Sequence, residues 1–321
     1  MSEARPNDIR PSSGLSDARL DGPLGGPANA AAIGPAAAQA NDAASDVRHD
    51  GVWLRPVWPG LPANIGVLCT TRLGGVSVAP YGLGDGVAGG LNLGVHVGDD
   101  LASVARNRAV LRGEVPAEPA WLSQVHGIAV ADADAVAAQA PLADAAAETG
   151  QTVPEADASV ARQAGTVCAI LTADCLPVLF CDMRGTVVGA AHAGWRSLAG
   201  GVLQETVKTM RAAGAGEVMA WLGPAIGPDR FEVGAEVREA FLDGAGDEAS
   251  RREVEAAFRL VPGQPGKFLA DIYALARSVL RRVGVEQVSG GRQCTVSDPS
   301  LFYSYRRDGI TGRQASLIWI K

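Results

Sequence analysis

The clearest pattern along the chain is a series of short, almost uninterrupted apolar runs, each closing on residues such as His, Cys, Asp or Thr. Residues 64–71 read as a first strand. In 165–173, 176–181 and 186–191 both alternating faces are apolar, the pattern of strands buried on two sides. Residues 120–125, 218–222 and 317–320 add further strands. Helical spacing is seen in 101–111, with Asp99 and Asp100 as caps, and in 197–212, where Leu198, Val202, Leu203, Val207 and Met210 share a face. Residues 232–241 and 268–283 also read as helices. Strands and helices alternate without a regular βαβ rhythm, so the expected class is α+β: a single domain with mixed β-sheets packed between helices.

Two stretches lack any apolar period. Residues 1–50 are dominated by Ala, Gly, Pro, Ser and Asp and read as a disordered tail before a domain over 51–321. Residues 131–156 are Ala-rich and acidic, interrupted by Pro141, Gly150 and Pro154, and read as a low-complexity surface insertion.

Composition narrows the partners. With 28 Lys and Arg against 35 Asp and Glu, the formal charge of −7 argues against nucleic acid and against an anionic membrane surface. The N-terminus has no apolar leader and no run is long enough to span a bilayer, so the expected location is cytoplasmic and the expected partners are small molecules. The five cysteines form no CxxC pair and do not suggest a disulfide framework. Oligomeric state is not written in these patterns.

The chemistry concentrates at three breaks between apolar runs: Gln124-Val125-His126-Gly127, Thr172-Ala173-Asp174-Cys175 and Ala191-His192-Ala193-Gly194-Trp195-Arg196. One thiolate and two imidazoles, from His126, Cys175 and His192, make a zinc set that leaves a fourth position open, as catalytic sites do. The spacing matches no zinc finger. A buried, inert Cys175 with two hydrogen-bonded histidines is the other reading of the same residues. Asp174 stands beside the thiol as a proton acceptor, and Arg196 follows His192 as an anion contact.

Two further clusters could meet phosphate. Arg72 lies in a Gly-rich loop with Asn92 in a second one, although the Gly-Lys-Ser/Thr ending of a P-loop is missing and on physics alone a structural loop is the favoured reading. Arg306 belongs to Tyr303-Ser304-Tyr305-Arg306-Arg307-Asp308-Gly309, which offers cations beside aromatic faces or, alternatively, a solvated turn.

Taken in order, TTRLGGVS, NLGVHVGDD, SQVHG, LTADCLPVLFCD, AAHAGWR, WLGPAIGP, FEVG, DIYALAR and the SYRRDG and TGR segments resemble the family first called multicopper polyphenol oxidases or laccase-domain proteins. Members of that family also appear as purine nucleoside phosphorylases and as a peptidoglycan editing factor. The resemblance covers roughly residues 53 to 320. It implies a zinc enzyme that cleaves adenosine, inosine and methylthioadenosine with phosphate to base and ribose 1-phosphate, with adenosine deamination as a further activity. It places the family's metal ligands on His126, Cys175 and His192, and copper is a possible occupant of the same set. The chain departs from the family in its tail, in the 131–156 insertion and at Ser197, where glycine is usual and where a serine would cap the following helix or narrow the pocket.

Three rivals remain. The same site would suit a hydrolase that edits peptidoglycan precursors, since these also carry a nucleoside and phosphate. A copper-dependent polyphenol oxidase is a further alternative, though His49 and His96 are too few to complete a trinuclear cluster. A non-enzymatic module would use the metal for stability alone.

Overall fold

Why the central runs are apolar on both sides is visible once the layers are laid out. The computed structural model describes residues 46–84, 86–139 and 153–321, all within one folded unit. Fourteen strands are formed among them: β1 Val47–His49, β2 Trp53–Pro56, β3 Ile65–Thr70, β4 Val130–Asp132, β5 Ala158–Ala161, β6 Val167–Thr172, β7 Leu176–Asp182, β8 Val188–Ala193, β9 Val218–Leu222, β10 Glu232–Gly234, β11 Phe258–Leu260, β12 Lys267–Ala270, β13 Val288–Gly290 and β14 Gln314–Ile320. The helices are α1 Leu101–Arg112, α2 Ala133–Gln139, α3 Trp195–Gly200, α4 Val202–Ala212, α5 Ala235–Asp243, α6 Glu248–Ala256, α7 Ile272–Arg282 and α8 Tyr305–Asp308.

The strands make an antiparallel sheet in the order β1-β2-β3-β14-β6, a mixed sheet in the order β13-β9-β7-β8-β5-β4, and a small antiparallel sheet β10-β12-β11. The two large sheets pack face to face. Cys168 and Ile170 of β6 and Ile318 of β14 meet Leu179, Cys181, Ala190 and Trp221 of the mixed sheet. The alternate residues of β6 and β14, Val167, Ala169, Leu317 and Trp319, point the other way and pack with Leu111 of α1. On the far side of the mixed sheet, Val178 and Phe180 of β7 join Leu203, Val207 and Met210 of α4 and Leu275 and Val279 of α7. Each central strand therefore has a core on both faces, which is the physical reason for its continuous apolar run. The expected α+β class, with mixed sheets between helices, is the observed one.

Several boundaries differ from the sequence reading. The tail was expected to run to residue 50, but Val47–His49 pairs with Leu54–Pro56 as a hairpin, and buried Asp46 accepts hydrogen bonds from the Arg292 N–H and the Gln293 side-chain amide. The tail before it lies outside the described residues. The 131–156 insertion begins inside the fold: β4 pairs in parallel with β5, and Ala133 of α2 is fully buried. Its residues 140–152 lie outside the described residues. The expected strand at 120–125 makes only isolated bridges, Ala120 to Cys168 and Ser123 to Glu155.

Three expected helices are divided. The 197–212 helix is two, because Gly201 takes a left-handed conformation, φ 106°, that ends α3 and starts α4. Residues 232–234 and 267–270 are strands rather than first turns, and the helices after them start at the caps Gly234 and Asp271. The Asp271 carboxylate accepts the Ala274 N–H, a cap that the apolar spacing of Phe268 and Leu269 had hidden. Ser197 caps nothing: α3 begins after Gly194, and the Ser197 hydroxyl is buried inside the helix with no partner among the described residues.

Candidate functional site

Between β6 and β7 the chain leaves one large sheet and enters the other through Ala173-Asp174-Cys175. The crossing needs a sharp turn, and Asp174 supplies it with φ 92°, a conformation that a non-glycine residue adopts at a cost. Its carboxylate offsets that cost by tying three segments together. It accepts the Thr295 hydroxyl at 2.6 Å, the Ser304 hydroxyl at 3.0 Å and the Arg306 N–H at 2.6 Å. The turn delivers Cys175 to the edge of β7, beside His192 on β8, whose neighbour Ala193 is paired with Leu176.

His126 arrives from the loop before β4, also with a positive φ of 59°. This loop is organised by Asp157, a residue the sequence reading missed. The Asp157 carboxylate accepts the N–H groups of Val125, His126 and Gly127 at 3.2, 3.0 and 2.6 Å, and also the His192 Nδ1–H at 2.8 Å. One buried carboxylate thus fixes two of the three expected ligands. Because Nδ1 of His192 faces Asp157, its Nε2 is left for the cluster.

The ligand atoms of His126, Cys175 and His192 all lie within 4.8 Å of one another, and Cys175 Sγ is 3.7 Å from His126 Nε2. A Cβ on Gly194 would come within 2.9 Å of His126 Cδ2 and 3.1 Å of Cys175 Sγ, so only glycine leaves the three room to converge. His192 is buried, Cys175 half-buried and His126 exposed, which opens one side of the set to the cavity. A soft thiolate, two imidazoles, a carboxylate behind one of them and an open side fit a catalytic metal ion.

The electrostatics agree. Burial alone would raise the Cys175 thiol, but His192 and His126 outweigh it and bring it down to about 6. Burial likewise opposes charge on His192, yet Cys175 and Asp157 prevail and push it up to about 9. The Cys69, Cys168 and Cys181 thiols, with no such neighbours, are raised to about 12 by burial.

The three ligands open on a cavity of about 450 Å³. Of the other expected site residues, Asp174, Arg196 and Arg306 line it. The Arg196 guanidinium lies 4.4 Å from the Trp195 ring centroid, and Arg306 donates to the Glu232 carbonyl at 3.0 Å. Arg72 and Asn92 are not among the lining residues. The Arg72 guanidinium donates to the carbonyls of Pro299 and Gly82, and Asn92 is fully buried, with its side-chain oxygen accepting the Gly94 and Arg313 N–H groups. Both hold loops together, in place of the phosphate contacts expected of them. His96 and Arg313 line the cavity instead.

No helix among the described residues is long and apolar enough to cross a membrane. The sequence pattern described as multi-copper polyphenol oxidoreductase laccase matches residues 66–321. Purine nucleoside phosphorylase PA4543 of Pseudomonas aeruginosa is 48% identical over 270 residues, covering 84% of this chain and 98% of that protein. Purine nucleoside phosphorylase YfiH of Escherichia coli K12 is 48% identical over 269 residues, covering 83% and 97%. Among solved structures, Neisseria meningitidis protein NMB0706 superposes with a TM-score of 0.69 at 47% identity, covering 82% of this chain and 96% of that one. With its fold, its His–Cys–His group and these relatives, the chain belongs to the multi-copper polyphenol oxidoreductase laccase family.

Proposed function

We propose that the protein is a zinc-dependent purine nucleoside phosphorylase, taking adenosine, inosine and methylthioadenosine, with adenosine deamination as a second activity of the same site. The observation that carries this reading is the His126–Cys175–His192 group opening on a nucleoside-sized cavity, in a chain 48% identical to proteins named purine nucleoside phosphorylase. Zinc fits the thiolate and imidazole donors, and a multicopper cluster would need more imidazoles than converge here. The expected cytoplasmic location accords with this small-molecule chemistry.

In phosphorolysis a phosphate oxygen forms a bond to the ribose anomeric carbon while the bond from that carbon to the purine nitrogen breaks. The electron pair leaves on the purine, which takes up a proton. A zinc ion held by His126, Cys175 and His192 would supply polarisation and charge stabilisation at the reacting centre. The chain's own residues do the rest. Asp157 orients His192 and the His126 loop. Arg196 and Arg306 line the cavity and place positive charge on its wall. Asp174, expected as the proton carrier, already accepts three hydrogen bonds, so we assign it the positioning of the Cys175 turn and of Arg306.

The test is product analysis of purified, metal-analysed protein incubated with adenosine, with and without phosphate, beside a Cys175→Ala control. Adenine that forms only with phosphate and with Cys175 intact is the expected result. Inosine formed regardless of phosphate would put deamination first. Turnover of neither kind would favour the editing of cell-wall precursors, and an unfolded Cys175→Ala variant would favour a structural metal.

A further inference from the structure

The cavity has two unlike walls, and each comes from a different part of the fold. On the side of the antiparallel sheet, β14 and β6 end together: Gln314 is the register partner of Thr172, which sets Arg313 beside the Thr172–Ala173 end of β6. The segment before β14 is zipped to the loop carrying His96, since the Leu93 N–H donates to the Arg313 carbonyl and the Arg313 N–H to Asn92. Gly94 packs so closely on Arg313 that a Cβ there would come within 2.9 Å of its Cγ. His96, Arg313 and Thr172 thus line one wall.

That wall lacks a ligand's worth of hydrogen bonds. The Thr172 hydroxyl is buried, at 2% exposure, and has no partner among the described residues. Among the described residues, the Arg313 guanidinium donates to the Thr311 and Gly312 carbonyls, both through Nη1. Burial draws Arg313 below its ordinary value, and burial together with the nearby Arg313 and Arg108 charges lowers His96. An entering anion would offset the desolvation of the Arg313 guanidinium.

A second group of lining residues is apolar, from loops of the mixed sheet: Ile226 and Phe231 follow β9 and Ile272 opens α7. It is held rigidly, since the Ile226 N–H donates to the Asp174 carbonyl at 2.9 Å, and the buried Tyr273 hydroxyl accepts the Ala225 N–H at 2.8 Å. Phe231 offers a ring face with the Arg306 guanidinium 5.9 Å from its centroid, a setting suited to a flat, electron-rich heterocycle.

We propose that Arg313 and His96 form the subsite for the attacking phosphate, and that Ile226, Phe231 and Ile272 take the purine, so the reacting carbon lies at the seam marked by Cys175. This rests on the phosphorylase reading. The subsites divide along the boundary between the two sheets, and the metal ligands stand where the chain crosses it.

The experiment measures the KM of phosphate and of adenosine separately for the wild type, Arg313→Gln, Arg313→Lys and Phe231→Ala, together with binding of inorganic phosphate alone by calorimetry. Arg313→Gln is expected to raise the phosphate KM by about tenfold or more and to abolish calorimetric phosphate binding, with the adenosine KM within about twofold of wild type and with Lys restoring part of the loss. Phe231→Ala is expected to do the reverse. Phosphate binding and phosphate KM unchanged in Arg313→Gln would overturn the subsite even in an active phosphorylase. A wild type that binds phosphate but does not phosphorolyse adenosine would overturn the functional reading, and loss of that binding in Arg313→Gln would still uphold the anion subsite.

Discussion

Asp157 and His192 are joined twice, once by the imidazole Nδ1–H donating to the carboxylate at 2.8 Å and once by the His192 N–H donating to the Asp157 carbonyl at 2.6 Å. The same carboxylate gathers the His126 loop, so a single side chain sets the spacing of two ligands. On the proposed zinc site, Asp157→Ala is expected to weaken metal binding by about 10- to 100-fold, as the loss of a carboxylate behind a ligating histidine does. Competition against a chelating dye measures this, with circular dichroism confirming that the fold is kept.

Gly194 gives a test of convergence. Its φ of −58° is open to alanine, so Gly194→Ala carries no backbone penalty, but the added methyl meets His126 and Cys175. Near-wild-type melting with sharply reduced zinc affinity is expected. A melting temperature that fell along with affinity would instead show that the methyl is resolved by disturbing β8 or α3.

The thiols should react unequally. In chelator-treated protein Cys175 is expected to be alkylated first, with a rate that falls as pH drops through about 6, because only the thiolate attacks. Cys69, Cys168 and Cys181, raised to about 12, should stay unmodified until the protein unfolds. Peptide mass mapping over a pH series reads both, and added zinc should protect Cys175.

Acid sensitivity should come partly from Asp182, at the end of β7. Burial opposes its ionisation, but the N–H groups of Val187 and Thr186 and the Thr186 hydroxyl outweigh it and hold its carboxyl below the usual range. A folded value below the unfolded one contributes stability that is present above about pH 4 and is lost as pH falls through the folded value. Asp182→Asn is therefore expected to cost about 1–3 kcal/mol at pH 7 and to flatten the acid limb of the stability curve, as followed by urea unfolding between pH 3 and 7, estimates drawn from buried hydrogen-bond losses.

What could be read from sequence was what repeats locally. β6 to β9 were legible because strands with a core on each face leave long apolar runs, and the candidate metal group because His126, Cys175 and His192 each sit at or near the end of such a run. Phe268 and Leu269 were absorbed into a helix because a short strand before a cap continues the apolar spacing. Asp157 escaped because it follows an Ala-rich stretch with no motif around it, and its four donors come from a loop about thirty residues before it and from His192 of β8, far along the chain. Arg72 was misread for the opposite reason: an arginine in a Gly-rich loop looks like a phosphate contact until distant Pro299 supplies one of its acceptors. The pairing of Arg313 with His96 exists only once β14 has found β6.

That last pairing also governs how the chain reaches its native state. β14 lies between β3 and β6, and its partners in β3 begin at Ile65, so the antiparallel sheet is two disconnected pieces until residues 314–320 insert. Completing the half of the cavity that carries Arg313 therefore requires a loop closure spanning most of the protein, and such non-local closure makes for slow folding. Newly made chains should pass through a stage in which the mixed sheet is formed and the thiol site assembled, while one flank of the antiparallel sheet is still an open edge in need of shielding from its neighbours.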